Sequence, residues 1–168
     1  MSAVPLVARP GPAPLLVASE LFGPLRIWPE DCLVFPDGLL GFAAQHRYVM
    51  LPAAAAGVYW LQSCDEGSLV FLVVDPFLFV PDYGFDLPDD DPIARGAERP
   101  GDIALLAIVT LSASPWAACT INLQGPLVVN LRARLGCQRV RGDELYGPRH
   151  PIDLRSRLAV SSSGPSRR

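Results

Sequence analysis

The sequence contains no lysine, so all 14 of its basic residues are arginines, and its two histidines are His46 and His150. Several catalytic signatures are missing as well: the Gly-x-Ser-x-Gly elbow, the phosphate-binding loop, the glycine-rich dinucleotide fingerprint and the His-Glu-x-x-His motif. No general base has a reaction partner at a readable spacing. These absences argue against an enzyme.

Metal-binding patterns are also lacking. The four cysteines are far apart and include no Cys-x-x-Cys pair, which argues against a zinc site. Each lies in or beside an apolar stretch, as buried thiols of a reducing compartment do. The acidic run Asp89–Asp91 lacks the alternating ligands and closing glutamate of a calcium loop. We therefore expect neither a metal nor a cofactor.

No apolar run approaches the roughly 20 residues that cross a bilayer. The first residues lack a basic region, and prolines interrupt their apolar stretches, so they make a poor signal peptide. Residues 1–18 are rich in proline and alanine, which predicts a disordered leader. We predict a cytoplasmic protein.

Charge is unevenly distributed along the chain. Residues 65–102 hold ten acidic residues and two arginines, a net charge of −8. An acidic body disfavours direct binding to nucleic acid, whereas an acidic face suits a basic protein partner. The alternative is that these acids form a solvated loop without a partner.

The stretch from Leu69 to Leu87 carries the clearest structural signal. Leu69–Val74 is uninterrupted and apolar, which predicts a strand buried on both faces. Asp75-Pro76 ends it, and Val58–Val74 as a whole predicts an antiparallel hairpin. Tyr83–Leu87 then alternates apolar residues with acidic residues and glycine, which predicts an edge strand with an acidic outer face.

Eighteen prolines and fourteen glycines divide the chain into short segments. We predict an all-β fold, an antiparallel β-barrel or closed sandwich of about nine or ten short strands with one or two short helices. One such helix should begin near Pro92, behind an aspartate cap. Residues 19–152 are predicted to form a single domain, and the arginine- and serine-rich residues 153–168 a disordered tail. The later predicted strands are Ile103–Leu111, Trp116–Leu123, Leu127–Leu131 and Cys137–Arg141.

The acidic stretch is our candidate partner-binding surface, with an aromatic anchor at its centre. Its predicted residues are Asp82, Tyr83, Asp86, Asp89, Asp90 and Asp91.

Three amides, Gln62, Asn122 and Gln124, interrupt otherwise apolar strands. A buried amide must be hydrogen-bonded, so they either tie strand ends together or line a recognition groove. A small-ligand pocket lined by Gln62, Asn122 and His150 is a second hypothesis for the function.

Five segments, in this order, resemble the FliW family of flagellar assembly factors over about residues 21–151. They are Pro36–Phe42 (F-P-x-G-L-x-G-F in that family), Tyr59–Ser63 (its aromatic Leu-Gln-Ser strand), Val73–Pro76 with Pro81–Tyr83 (D-P-F…P-D-Y), Asn122–Asn130 (N-L-x-A-P-I-V-I-N) and Tyr146 with Arg149–Pro151. We assign the motif positions mainly to the fold, with Phe42 as a core anchor; they are Gly38, Gly41, Phe42, Gln62, Asp75, Pro76, Asn122, Gln124, Arg149 and His150.

The resemblance implies a non-enzymatic, β-barrel-like protein of the cytoplasm. It implies binding to CsrA, a small RNA-binding repressor, which relieves repression of flagellin mRNA. It also implies binding to new flagellin, which withdraws the protein from the repressor. The alternative is a flagellin-binding secretion chaperone that does not bind the repressor. Neither version requires contact with nucleic acid or a membrane.

Overall fold

The computed structural model describes residues 11–111 and 119–157. Within these residues the chain forms eleven strands and four single-turn 3-10 helices, and residues 155–157 are helical. The strands are β1 (Leu15–Ser19), β2 (Gly23–Ile27), β3 (Cys32–Val34), β4 (Arg47–Pro52), β5 (Val58–Ser63), β6 (Val70–Val74), β7 (Ile103–Thr110), β8 (Cys119–Ile121), β9 (Leu127–Asn130), β10 (Leu135–Gln138) and β11 (His150–Ile152). The 3-10 helices are η1 (Pro29–Asp31), η2 (Pro76–Leu78), η3 (Pro92–Ala94) and η4 (Pro100–Asp102).

Seven strands close into a barrel. They run in the order β7, β6, β5, β4, β3, β10 and β9, and β9 pairs back onto β7. Every pairing in the barrel is antiparallel except that of β3 with β10. β8 and β11 extend from β7, whereas β1 and β2 form a separate ribbon. The predicted antiparallel β-barrel is confirmed.

Alternation along β6 and β7 divides the core into two layers. Val73 and Leu106 face the barrel interior, whereas Leu72, Val74 and Ala107 belong to a second cluster outside it. Both faces of these strands are therefore covered. This explains why Val70–Val74 is apolar without a break, as predicted for a strand buried on both faces.

Residues just beyond both predicted ends of the domain are packed into the structure. Leu15–Ser19, placed largely in the leader, is β1; Val17 is buried with Val49 and Ile27. Leu154, placed in the tail, is buried in the outer cluster. Each buries apolar surface that the local composition does not reveal. Residues 1–10 and 158–168 lie outside the described residues.

Tyr83–Leu87 is not the predicted edge strand, because it has no ladder pairing. Its neighbour Pro88 has no N–H, and the Tyr83 side chain turns into the protein. The predicted helix is the single turn η3, and Asp91 caps it by accepting from the Ile93 amide at 3.0 Å. Of the predicted strand Trp116–Leu123, only Cys119–Ile121 is seen as β8, and Trp116 lies outside the described residues.

Candidate protein-binding surface

Residues 81–91, which we call the acidic segment, cross the outer core cluster between η2 and η3. The preceding turn is fixed by Asp75, whose Oδ1 accepts from the Phe77 amide at 2.9 Å. Farther along, Asn130 is fully buried and its Nδ2 donates to the carbonyls of Ile93 and Arg95, at 2.8 and 3.1 Å. Asn130 was not predicted as a site residue, although it ends the Asn122–Asn130 motif. Both ends of the acidic segment are therefore held by side chains.

Four predicted carboxylates are solvent-exposed on this segment: Asp82, Asp86, Asp89 and Asp90. Within the described part of the chain, none of the four accepts a hydrogen bond or forms an ion pair. Five acidic residues and no basic residue occur in residues 81–91. The surface thus presents uncompensated negative charge, which is the electrostatic property that a basic partner would recognise.

Asp91 was also predicted as a residue of this exposed surface, but its carboxylate is largely covered. Its side chain is only 15% exposed, and its Oδ1 lies 2.6 Å from Nη2 of Arg139. The same oxygen caps η3. Because Asp91 satisfies both the helix end and Arg139, it positions the segment and has no free carboxylate to offer.

Tyr83 is not a surface anchor either. It is 3% exposed, and its hydroxyl donates to the Leu123 carbonyl at 2.7 Å. Its ring packs edge-on against Tyr146, with centroids 4.8 Å apart, and burial raises the pKa of its hydroxyl. The alternating pattern placed Tyr83, Phe85 and Leu87 on one face, but it could not show that this face is covered.

Arg141, which follows β10, connects the acidic segment to residues 141–146 through its side-chain contacts. Its guanidinium carbon lies 5.5, 5.9 and 5.1 Å from the ring centres of Tyr83, Phe85 and Tyr146. It donates to the Gly84 carbonyl and forms an ion pair with Asp143 at 2.8 Å. This hydrogen-bonded pair lowers the pKa of Asp143 and raises that of Arg141. The charge of the Arg141 guanidinium is thereby compensated within the protein.

A groove of about 530 Å³ separates the acidic segment from residues 139–145, and we call it the outer groove. Val140 and Leu145 stand on its second wall with 61% and 76% of their surfaces exposed. Sequence reasoning missed both residues; the only signal is that Val140 lies between two arginines and that Leu145 directly follows two acidic residues. The full lining is Gly84, Phe85, Asp86, Leu87, Pro88, Asp91, Arg139, Val140, Arg141, Asp143 and Leu145.

Gln62 ties strand ends together. It is completely buried; its Oε1 accepts from Ser19 Oγ at 2.7 Å, and its Nε2 donates to the carbonyls of Ser63, Gly67 and Leu69 at 3.0–3.3 Å. It therefore joins β1 to the hairpin turn. This arrangement supports the first of the two interpretations of the amides.

Asn122 acts similarly at the end of β8, since its Oδ1 accepts from the amides of Gln124 and Gly125, at 3.1 and 2.8 Å. His150 on β11 pairs with Ile121 on β8, next to Asn122. Gln62, however, lies on β5, and β6 and β7 separate β5 from β8 in the sheet. The Gln62 side chain is already fully hydrogen-bonded around the hairpin turn, so this arrangement gives no support to the small-ligand pocket hypothesis.

The remaining motif positions lie in turns and at the surface. Gly38 has φ +66°, and a Cβ there would lie 2.5 Å from the Phe42 carbonyl oxygen, so the turn requires glycine. Phe42 is not the core anchor; Leu39 is buried there, and Phe42 packs at the surface edge-on to Phe71 at 5.2 Å. Gly41 also has a positive φ, and Pro76 is buried. The backbone carbonyl of Gln124 accepts a hydrogen bond from the Arg141 amide. Arg149 is exposed.

Cys32 and Cys119 are buried, as predicted, whereas Cys64 and Cys137 are half-buried. Sγ of Cys32 and Sγ of Cys64 lie 4.0 Å apart, and burial raises the pKa of Cys64 to about 12. Residues 11–111 and 119–157 contain no group of three or more His, Cys, Asp or Glu side chains that could hold a metal ion. They also contain no helix that is long and apolar enough to span a membrane.

Comparison with known proteins places this fold. The FliW protein family matches residues 16–152. Flagellar assembly factor FliW of Treponema denticola is 36% identical over 136 residues, which cover 81% of this chain and 92% of that protein. The corresponding protein of Moorella thermoacetica is 34% identical over 137 residues, which cover 81% and 87%.

A crystal structure of the flagellar assembly factor FliW superposes with a TM-score of 0.73 at 30% identity, covering 81% of this chain and 95% of that one. The sequence match begins one residue into β1 and ends with β11, so it spans the ribbon, the barrel and the acidic segment. The chain belongs to the FliW protein family.

Proposed function

We propose that this chain is a non-enzymatic regulatory protein of the cytoplasm that binds both a CsrA-type translational repressor and flagellin. Binding to the repressor relieves its action on flagellin mRNA, and flagellin competes for the chain. Flagellin synthesis is thereby coupled to flagellar assembly. The observation that carries the proposal is the acidic segment, which exposes four unpaired carboxylates on a framework fixed at both ends.

The charge of this surface supports a basic protein partner. Exposed like charges accelerate encounter with an oppositely charged protein and select against acidic ones. The same charge repels nucleic acid, so the chain acts on an RNA-binding protein and not on the RNA. The relatives are named flagellar assembly factors, which fits flagellin as the second partner.

Calorimetric titration of the full chain with the CsrA protein of the same organism tests the first arm. The double variant Asp86→Arg/Asp90→Arg should weaken binding at least tenfold, about 1.4 kcal/mol. The matched control is Glu20→Arg/Glu30→Arg, since both glutamates are exposed and lie outside the acidic segment. Equal affinity of the acidic-segment variant and the wild type would exclude this surface.

Competition with flagellin tests the second arm. Addition of flagellin to the preformed complex should release the repressor. Binding to flagellin without binding to the repressor would instead identify a secretion chaperone that lacks the regulatory arm. Binding to neither would overturn the proposed function.

A further inference from the structure

The outer groove is bordered on one side by a stretch of main chain outside the regular elements, without hydrogen-bond partners among the described residues. The amides of Phe85, Asp86 and Leu87 donate to no acceptor among the described residues, and their carbonyls accept from no donor there. The segment is held in place by its neighbours, because the Gly84 carbonyl accepts from Arg141. A backbone that is fixed and unpaired can template a further strand.

The opposite border has the same property at Val140. The amides of Arg139 and Arg141 donate to the carbonyls of Pro126 and Gln124, at 2.9 and 2.8 Å. Alternate residues of a strand direct their N–H and C=O groups to opposite sides. The N–H and C=O of Val140 therefore point away from this ladder, and they have no partner among the described residues.

The side chains of the groove combine exposed apolar surface with free negative charge. Val140 and Leu145 are largely exposed. The two arginines are neutralised within the wall, Arg139 by Asp91 and Arg141 by Asp143. Asp86 is the carboxylate of the lining that has no cationic partner among the described residues. The groove is thus complementary to a ligand that is both apolar and basic.

We propose that the outer groove binds one extended segment of a protein partner in which apolar residues alternate with lysine or arginine. The inserted strand pairs with the unpaired backbone of the groove. Its apolar side chains cover Val140 and Leu145, and its basic side chains meet Asp86 and the neighbouring acids. A groove of about 530 Å³ is within the size range of ligand clefts, about 300–1,000 Å³. This inference rests on the proposed function, since the segment belongs to one of the two partners.

The test uses a fluorescein-labelled peptide of eight residues that alternates lysine and valine, titrated with the full chain and followed by fluorescence anisotropy. Saturable binding is expected, and it should weaken with salt because exposed charges are screened. Leu145→Glu and Asp86→Arg should each weaken binding at least tenfold. The controls Leu16→Glu and Glu30→Arg should leave it unchanged; Leu16 is 79% exposed on β1, away from the groove.

Two further peptides separate the contribution of backbone pairing from that of the apolar side chains. The same peptide with N-methyl groups on alternate amides should lose binding, because it cannot pair through its backbone. A lysine–serine peptide of equal charge should bind at least tenfold more weakly. Equal binding of either peptide, or of Leu145→Glu, would overturn the proposal, as would no binding of the lysine–valine peptide by the wild type. Circular dichroism melting curves check that each variant is folded.

Titration of Leu145→Glu with CsrA and with flagellin distinguishes this inference from the proposed function. If the wild type binds both partners and Leu145→Glu binds them equally well, the groove is not the contact and the function stands. If the wild type binds neither partner but the peptide binds as described, the groove stands and the proposed partners are wrong.

Discussion

At the scale of single residues, the barrel interior contains a tyrosine whose hydroxyl is buried and unpaired. Tyr48 packs against Phe35 and Phe71, and its hydroxyl has no hydrogen-bond partner among the described residues. Burial raises its pKa to about 12. The aromatic ring is needed to fill the space, but the oxygen atom is desolvated without compensation.

Replacing Tyr48 with phenylalanine should therefore stabilise the protein by about 1 kcal/mol, because it removes an unsatisfied polar atom and leaves the packing in place. Urea denaturation measures the change in the free energy of unfolding. Tyr83→Phe is the matched control: its hydroxyl donates to the Leu123 carbonyl, so its loss should destabilise by about 1–2 kcal/mol. Destabilisation by both substitutions would mean that the Tyr48 hydroxyl is satisfied in solution.

Residue roles were predictable where one residue departs from its surroundings. Gln62 is an amide in an apolar strand, and such a residue must find partners wherever it lies. Tyr83 follows the alternation of its segment, so nothing local distinguishes an exposed ring from a covered one. Its burial depends on Leu123 and Arg141, which are distant in sequence.

At the scale of elements, the β5–β6 hairpin was predicted almost completely, since its pattern and turn are local. In the turn, the backbone amides of Asp65 and Glu66 donate hydrogen bonds to Ser63 Oγ, at 3.1 and 3.0 Å. The Asp65 carboxylate also accepts from the amides of His46 and Arg47 and pairs with the Arg47 guanidinium at 2.6 Å. This second connection links the hairpin to β4, and the turn sequence does not reveal it.

Stability should depend on pH through Asp65. Burial by itself raises its pKa, but the hydrogen bonds from Arg47 and His46 outweigh burial, so the pKa is lowered in the folded state. A lowered pKa contributes stability above the unfolded value of about 3.9, and this contribution is lost as the pH falls through the folded value.

Asp65→Ala should therefore destabilise the protein by about 2 kcal/mol at pH 7, and the difference from the wild type should shrink below about pH 4. Urea denaturation between pH 2.5 and 7 measures it. Asp37→Ala serves as the control, because Asp37 is an exposed turn residue without a salt bridge among the described residues. A difference for Asp65→Ala that is constant over this range would contradict the assigned role of its charge.

The conformation of the acidic segment could not be predicted from its own sequence pattern. Its central part, Tyr83–Leu87, has the alternation of a strand, yet a strand needs a neighbour, and the flanking Pro81 and Pro88 have no N–H to donate to one. Side chains from other elements fix it instead: Arg141 holds Gly84, and Asn130 holds the turn beyond it. The outer groove exists because two such segments come together, so no single stretch of sequence predicts it.

At the scale of the whole molecule, the barrel class followed from short apolar segments between prolines and glycines, and the predicted nine or ten strands compare with eleven among the described residues. The strand pairings that close the barrel could not be predicted in this way. β7 pairs with β9 from Ile103↔Asn130 to Leu106↔Leu127, whereas β3 meets β10 in parallel at Leu135↔Val34 only. Pairings between distant strands depend on the closed shape of the sheet, which periodicity does not encode.

The β3–β10 seam should therefore be the first part of the barrel to open. Beyond its single ladder pair, it is held by the Val34 amide, which donates to the Arg134 carbonyl at 2.9 Å, and by the Arg134 side chain, which donates to the Asp31 and Cys32 carbonyls. Hydrogen exchange followed by mass spectrometry should show amides of β3 and β10 exchanging well before those of β5 and β6, since local opening costs least where few hydrogen bonds must break. Arg134→Ala should accelerate exchange in β3 without changing that of the β5–β6 hairpin. Equal protection of all seven strands would instead mean that the barrel opens only by global unfolding, with the seam as stable as the hairpin opposite it.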